Sequence, residues 1–366
     1  MKFDSAKIEN VVGGGSFEIG DDDSKILDEI ISEVINDIMP SEIKLKKKIE
    51  MIDNTIEYLS YELLVTFIKH GVEFGIFPII AKYSPKIDDI PLLVKYPNKQ
   101  FILDYIKTAL KLEILKYEDE KIKINEDFEL NIKMPKFDKI ISDYVMKYNF
   151  ITHVSRYALI SYSHPKIAIS FKKDPDIWDM ILSSPYYSLC REIASDYLKI
   201  DKGDYILDVG CGSRSPKYFI DMIYPEGHYM GVDISKGLLQ IAECRIKRLY
   251  CDSYELKNID FTKIIPKEKY DYIICSHTMI YAPSLKQFLN KMMSSIHSGG
   301  KIFISEEFIL DKNENICKEV FEFYNRLNKR FRGYYSEKDI VDILESLGYD
   351  FKIESLGNGI LVIEKI

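Results

Sequence analysis

Ile206-Leu207-Asp208-Val209-Gly210-Cys211-Gly212-Ser213 is the stretch on which the reading of this chain turns. An apolar run of strand character, Tyr205–Val209, ends in two glycines at i and i+2. Such glycines let the backbone turn tightly and approach a ligand with no Cβ in the way. By itself that signal is weak. A second strand-like run, Tyr229–Val232, leads into Gly231-Val232-Asp233, with the acid 23 residues after Gly210. An acid about 20 residues on is where ribose hydroxyls are read in nucleotide-binding α/β folds. A third apolar run, Arg248–Cys251, is followed by Asp252 and Ser253, a position that suits an adenine amino group. Three strand-end signals in register carry much more than one.

Working outward, strand and helix alternate from about residue 203 onward. Further strand-like runs are Tyr272–Cys275, Lys301–Ser305, Asp350–Glu354 and Ile360–Glu364, the last two joined by Gly357-Asn358-Gly359, a hairpin signal. This order predicts an α/β fold, a Rossmann-like seven-stranded doubly wound sheet with one antiparallel edge strand. Ligands of such sheets bind at the carboxyl ends of the strands, at the switch point.

The N-terminal half reads as helical. Residues 1 to about 24, with Gly13-Gly14-Gly15-Ser16 and Asp21-Asp22-Asp23, read as a loop, and Ile26 to Ile38 has helical spacing. Further helical patterns cover about 42–58 and 60–75. A short turn and helix over Ile87–Leu93, a helix over Asn98–Leu110, and two alternating strands, Leu112–Tyr117 and Lys121–Ile124, follow. Helix, helix, helix, hairpin is the winged-helix order. Its third helix carries only Lys99 and Lys107 against Asp104, so a structural or dimerising use is expected rather than nucleic-acid binding. Residues 136–200 read as connecting helices rich in aromatics. The predicted organisation is therefore an extension with helices (1–59), a winged-helix-like region (60–135), a helical linker (136–200) and a ligand-binding α/β domain (201–366).

Composition sets the outer limits. The 366 residues correspond to about two ordinary domains, and 46% hydrophobic with 30% charged residues is a globular balance. The net charge of −8 argues against a protein that coats nucleic acid. There is no run of about 18 apolar residues and no apolar core of a signal peptide near the start, so a cytoplasmic location off the membrane is expected. The six cysteines form no C-x-x-C pair and read as buried reduced thiols, with no metal site expected.

The segments Ile206–Gly212, Gly231–Ser235, Cys251–Ser253, Tyr270–Tyr281 (YDYIICSHTMIY) and Gly299–Glu307 (GGKIFISEE) together resemble the successive motifs of the class I S-adenosylmethionine-dependent methyltransferases. The segment from about 60 to 127 resembles the winged-helix dimerisation domain of small-molecule O-methyltransferases. The resemblance implies S-adenosylmethionine as cofactor, with Gly210 and Gly212 under its methionine part, Asp233 on the ribose hydroxyls, and Asp252 with Ser253 at the adenine. Asp208, Cys211, Ile234 and Ser276 complete the expected cofactor contacts. It also implies a homodimer and a small, apolar or aromatic acceptor, with oxygen favoured over carbon or sulfur.

One position departs from the family. Where a third glycine is usual, this chain has Arg214, followed by Ser215-Pro216, a good helix start. A helix that begins late is the favoured reading. Pairing of Arg214 with the cofactor carboxylate, a solvated charge and a weakened site are the alternatives.

Methyl transfer from a sulfonium is an in-line displacement that asks the protein to align the nucleophile and remove its proton. His277, after the fourth strand, lies near where some O-methyltransferases place a general base; packing beside the cofactor is the alternative. His153, Tyr157, Trp178 and Tyr281 are candidates for the acceptor pocket, against ordinary surface or core roles. Nothing resembles the Asn-Pro-Pro-Tyr motif of amino-methyltransferases. An RNA or protein methyltransferase that docks through the winged helix, and a regulator that keeps the fold without turnover, are the rival readings.

Overall fold

Apolar residues spaced from Ile52 to Phe67 bury one continuous stripe, and they make one helix where the sequence pattern suggests two: α1, Ser41–Glu73. In this computed structural model, residues 41–129, 139–161, 173–246, 253–264, 269–309 and 316–366 are described. The helical pattern from Ile26 to Ile38 lies outside them. The chain divides into residues 1–47 and 48–366, and every contact below lies within the second unit.

Gly75, at φ 71°, ends α1 in the left-handed region that favours glycine, and the chain bends by 63° into α2 (Ile76–Tyr83). A single 3₁₀ turn then leads into α3 (Ile90–Leu93). Asn98 caps α4 (Lys99–Lys111), its side chain accepting from the Phe101 N–H at 3.1 Å. β1 (Leu115–Glu118) and β2 (Lys121–Ile124) pair antiparallel around Asp119 and Glu120, both at positive φ as a tight hairpin needs. The order of short helices followed by a hairpin matches the sequence pattern. α5 (Lys139–Ala158), α6 (Pro175–Leu182) and α7 (Pro185–Leu198) connect this region to the sheet.

From there strands and helices alternate: β3 (Tyr205–Val209), α8 (Ser215–Ile223), β4 (His228–Asp233), α9 (Lys236–Arg245), β5 (Tyr254–Asn258), β6 (Tyr270–Ser276), α10 (Leu285–Ser295), β7 (Ile296–Ser305), α11 (Ile316–Asn325), α12 (Glu337–Ser346), β8 (Phe351–Leu356) and β9 (Ile360–Lys365). Among the described residues they form a seven-stranded sheet of order β5-β4-β3-β6-β7-β9-β8. β9 runs antiparallel to both its neighbours, so the reversed strand lies one in from the edge, where β8 sits. The order reverses between β3 and β6, and this switch point opens the crevice that holds the candidate site.

Among the described residues the strand that pairs with β4 is β5, with Tyr254 opposite Tyr229, and the strand-like run Arg248–Cys251 lies outside them. Tyr254-Glu255-Leu256-Lys257-Asn258 is an edge strand, half-buried and mostly polar, and an apolarity criterion passes over it.

α11 reaches back to the N-terminal helices. Its Phe323 meets Phe67, Phe101 and Tyr105 at ring-centroid distances of 5.2, 5.3 and 5.6 Å. Next to it, the Tyr324 hydroxyl lies 2.9 Å from His70 Nδ1. This helix therefore packs on α1 and α4. At the other end of α1, Asp53 accepts from the Asn358 N–H at 2.9 Å and so holds the β8–β9 turn. No single helix among the described residues is long and apolar enough to cross a membrane. Cys190, Cys211 and Cys275 are buried as expected, but Cys244 on α9 is exposed.

Candidate active site

The floor of the cavity is the turn after β3. Gly210 and Gly212 sit at φ 75° and 59°. A Cβ on Gly210 would stand 2.1 Å from Thr278 Oγ1, and one on Gly212 2.9 Å from Leu182 Cδ1. Only bare backbone fits, which leaves a cradle where a ligand can lie against main chain. Asp208, Cys211, Ile234 and Ser276 line the same cavity.

Asp233 closes the turn from β4. One carboxylate oxygen accepts from the Gly212 N–H at 3.0 Å and the other from the Ser235 N–H at 2.7 Å. Each oxygen keeps a further lone pair for a hydroxyl donor. Burial pushes the Asp233 carboxyl above the ordinary range. Asp208, in contact with the Tyr229 hydroxyl at 2.7 Å, is pushed up to about 7, with burial as the main cause and that hydrogen bond and Arg191 opposing it.

The adenine end differs from expectation. Asp252 lies outside the described residues. Ser253 stands before β5, its carbonyl accepting from the Tyr229 N–H at 2.9 Å, and it does not line the cavity. The acid that follows β5 is Asp260, and Ile259, Asp260 and Phe261 line the cavity. The signal that finds Asp260 is the alternation of Tyr254–Asn258, once that run is taken as the strand.

Across the switch point stands His277, at φ 49°, with its backbone N–H held by the Ser305 carbonyl at 2.7 Å. Its side chain is 7% exposed, and neither ring nitrogen has a hydrogen-bond partner. Nδ1 lies 3.4 Å from Glu307 Oε2 and 3.8 Å from Glu306 Oε2. The Tyr186 and Tyr187 rings stand at 5.5 and 5.1 Å. Glu306 is anchored by the N–H groups of Met279 and Ile280, at 2.8 and 3.4 Å. Glu307 accepts from Lys147 Nζ at 2.8 Å and the Tyr148 hydroxyl at 2.9 Å.

These two buried acids divide their roles. Burial and the neighbouring Glu307 push the Glu306 carboxyl well up. For Glu307, burial acts the same way, but Lys147 and His277 outweigh it and hold the carboxyl well below its usual range. Glu307 is therefore the ionised partner of Lys147, while burial and the charge of Glu307 favour the neutral form of Glu306. His277, Glu306 and Glu307 offer donor atoms within 4.8 Å of one another, a set of the kind that binds cations. The Lys147 ammonium on Glu307 already supplies the positive charge that such an ion would bring.

Of the four acceptor-pocket candidates, Trp178 and Tyr281 line the cavity. His153 and Tyr157 do not: they meet each other at 5.5 Å on the exposed side of α5, while Lys147, Tyr148, Ile151 and Val154 turn inward. Sequence reasoning missed Lys147, Arg191 and the paired glutamates. Arg191 also lines the cavity, and burial lowers its pKa.

The Arg214 departure resolves as a late helix. α8 starts at Ser215 with Pro216 in its first turn, and Arg214 is its flanking residue. Its guanidinium grips Asp179 of α6 with Nε at 3.0 Å and Nη2 at 2.9 Å. Arg245 holds the same carboxylate at 2.6 and 2.7 Å, and the Ser213 hydroxyl donates to it at 2.6 Å. Burial would raise the Asp179 carboxyl, but these donors outweigh it and hold it far below the usual range.

Comparison with known proteins fits this geometry. Residues 200–348 match the protein family described as "Methyltransferase domain". A demethylmenaquinone methyltransferase of a Geobacillus species is 21% identical over 208 residues, covering 51% of this chain and 89% of that protein. A carboxy-S-adenosyl-L-methionine synthase of Campylobacter jejuni is 25% identical over 222 residues, covering 53% and 91%. The solved structure of the CurJ carbon methyltransferase aligns with a TM-score of 0.55 at 13% identity, over 88% of this chain and 96% of that one. That last likeness concerns the fold. The glycine cradle, the strand-end acids and the matched domain agree: this chain carries a methyltransferase domain and is a methyltransferase that uses S-adenosylmethionine.

Proposed function

We propose that this methyltransferase acts on a small, apolar or aromatic acceptor through an oxygen atom, with His277 as the base that takes the acceptor's proton. The observation that carries this reading is the buried imidazole on the cavity wall with neither nitrogen in a hydrogen bond. When bound, S-adenosylmethionine supplies an electrophilic methyl on its sulfonium. Gly210 and Gly212 let backbone approach the cofactor, and Asp233 offers lone pairs to its ribose hydroxyls. Trp178, Tyr187 and Tyr281 give the acceptor apolar walls and keep water from the reacting atoms. His277 accepts the proton as the nucleophile forms its bond to the methyl carbon. Glu307, 3.4 Å from Nδ1, stabilises the imidazolium that results.

A second reading keeps every residue in place and changes the accepting atom. The same base removes a proton from an acidic carbon between two carbonyls, and a carbon methyltransferase is among the solved structures this fold resembles. A panel of phenols, catechols and 1,3-dicarbonyl compounds, with S-adenosylhomocysteine release followed by mass spectrometry, separates the two. On whichever acceptor turns over, His277→Asn is expected to lower kcat by about 10²–10⁴-fold. S-adenosylhomocysteine affinity is expected to stay unchanged. Full turnover in that variant rejects His277 as the base.

The organisation proposed for the chain is a winged-helix module at 60–135, acceptor-side helices at 136–200 and the cofactor domain at 201–366. The exposed Tyr83, Leu92, Leu93 and Tyr117 support a homodimer built on the first module. Light scattering on the purified protein is expected to return twice the chain mass; a monomer at every concentration excludes it.

A further inference from the structure

Asp179 is not among the residues that line the cavity, yet it is the meeting point of three elements that surround it. It lies on α6, an eight-residue helix whose Trp178 and Leu182 form part of the cavity wall. Leu182 Cδ1 is the atom that a Cβ on Gly212 would strike, so α6 sits directly on the glycine turn. The Asp179 carboxylate takes Ser213 and Arg214 from the end of that turn and Arg245 from the far end of α9. Arg245 also donates to the Ser213 carbonyl at 3.1 Å, which ties turn and helix to each other through the same cluster. At the start of α6, Pro175 packs on Gly237 of α9, where a Cβ would come within 2.6 Å.

We propose that Asp179 is a positioning residue for the cofactor, a latch that holds α6 closed over the glycine turn, and that the cofactor leaves when this latch opens. The inference rests on reading the cavity as the cofactor site. Two features make an ionic latch suited to repeated opening. Asp179, Arg214 and Arg245 have side chains 14%, 32% and 27% exposed, so water solvates each group once they separate and salt weakens their attraction. The neighbouring apolar contacts of Trp178 and Leu182 with the cavity are those that a departing ligand must disturb. Arg214, in a position where a glycine would supply a bare turn, thus fixes the turn from outside. This accounts for a sequence departure that otherwise looks like damage.

The chain carries its own reporter, because Trp178 is its single tryptophan and lies on the cavity wall. Stopped-flow fluorescence of the full chain, with S-adenosylhomocysteine as the probe, reads the dissociation rate directly. In the wild type the rate is expected to rise with added salt. Asp179→Asn keeps the shape and loses the charge; it is expected to raise the rate about tenfold and abolish the salt dependence. Asp179→Glu is expected to restore part of both. Arg214→Gln, at a side chain one-third exposed, provides a second variant should the first fail to fold, and it is expected to give a smaller shift in the same direction. A rate and salt dependence in Asp179→Asn equal to those of the wild type overturn the latch. Calorimetric binding without any Trp178 response in the wild type overturns the cavity as the cofactor site, and the latch with it.

Discussion

Asp208 shows how much a single buried carboxyl can do in this site. Burial pushes its carboxyl up to about 7, which brings its titration into the neutral pH range in the cofactor-free protein. The cofactor's methionine part brings an ammonium, and a cation beside a carboxyl favours its ionised form. Binding below pH 7 must therefore displace a proton. The expected outcome is that S-adenosylhomocysteine affinity falls as pH drops through about 7, with proton release seen by calorimetry in buffers of different ionisation enthalpy. Asp208→Asn should flatten that dependence; a wild-type affinity independent of pH between 6 and 8 would remove Asp208 from the cofactor's surroundings. How far such residues can be read in advance differs by kind. Gly210, Gly212 and Asp233 announce themselves because glycines and an acid punctuate apolar strands at fixed offsets. Lys147, Glu306 and Glu307 do not, since charged residues ordinarily face water and only the fold brings α5 against the end of β7.

At the scale of elements, β5 and α11 are where local pattern and tertiary structure part. β5 is an edge strand whose residues are half in water, so its hydrophobic signal is faint and the more apolar run before it attracts attention. The consequence passes to the site, because the acid that follows this strand is Asp260, whereas Asp252 lies outside the described residues. α11 is amphipathic, with Val320, Phe323 and Tyr324 on its buried face. Spacing says that one face is buried and leaves open against what. Its partner is the aromatic cluster of α1 and α4, and Phe323, 2% exposed, is the residue driven into it. Phe323→Ala should cost about 3–5 kcal/mol, the usual loss for an aromatic removed from a packed core. Urea unfolding of the full chain checks it, and a loss below about 1 kcal/mol would mean that the cluster closes without this ring.

For the molecule as a whole, His70 links that same cluster to pH. Burial, with Arg156 adding to it, lowers its pKa from 6.5 to about 4 in the folded chain. An unfolded histidine titrates near 6.5, so between about 6.5 and 4 the unfolded state binds more protons than the folded one. Stability from this group is thus complete above pH 6.5 and is lost as pH falls towards 4, by about 3 kcal/mol at most. His70→Gln should lessen the acid sensitivity of the midpoint in urea relative to wild type, with little change in slope above pH 7. Equal pH profiles would show that His70 titrates alike in both states.

The hydrogen bond between Asp53 and Asn358 joins positions 305 residues apart. Synthesis runs from the N-terminus at about 5–20 residues per second, so the turn of α1 that holds Asp53 emerges roughly 15–60 s before its partner exists. α1 and the aromatic cluster can assemble long before that, but the clasp on the β8–β9 turn cannot. A nascent chain halted before residue 358 presents Ile49 and Asp53 uncovered, and those two residues are the ones against which Gly357 is packed in the finished protein. Completion of this fold therefore waits on translation of the β8–β9 hairpin, and a ribosome paused ahead of it would hold the molecule short of two sheet strands and of this clasp.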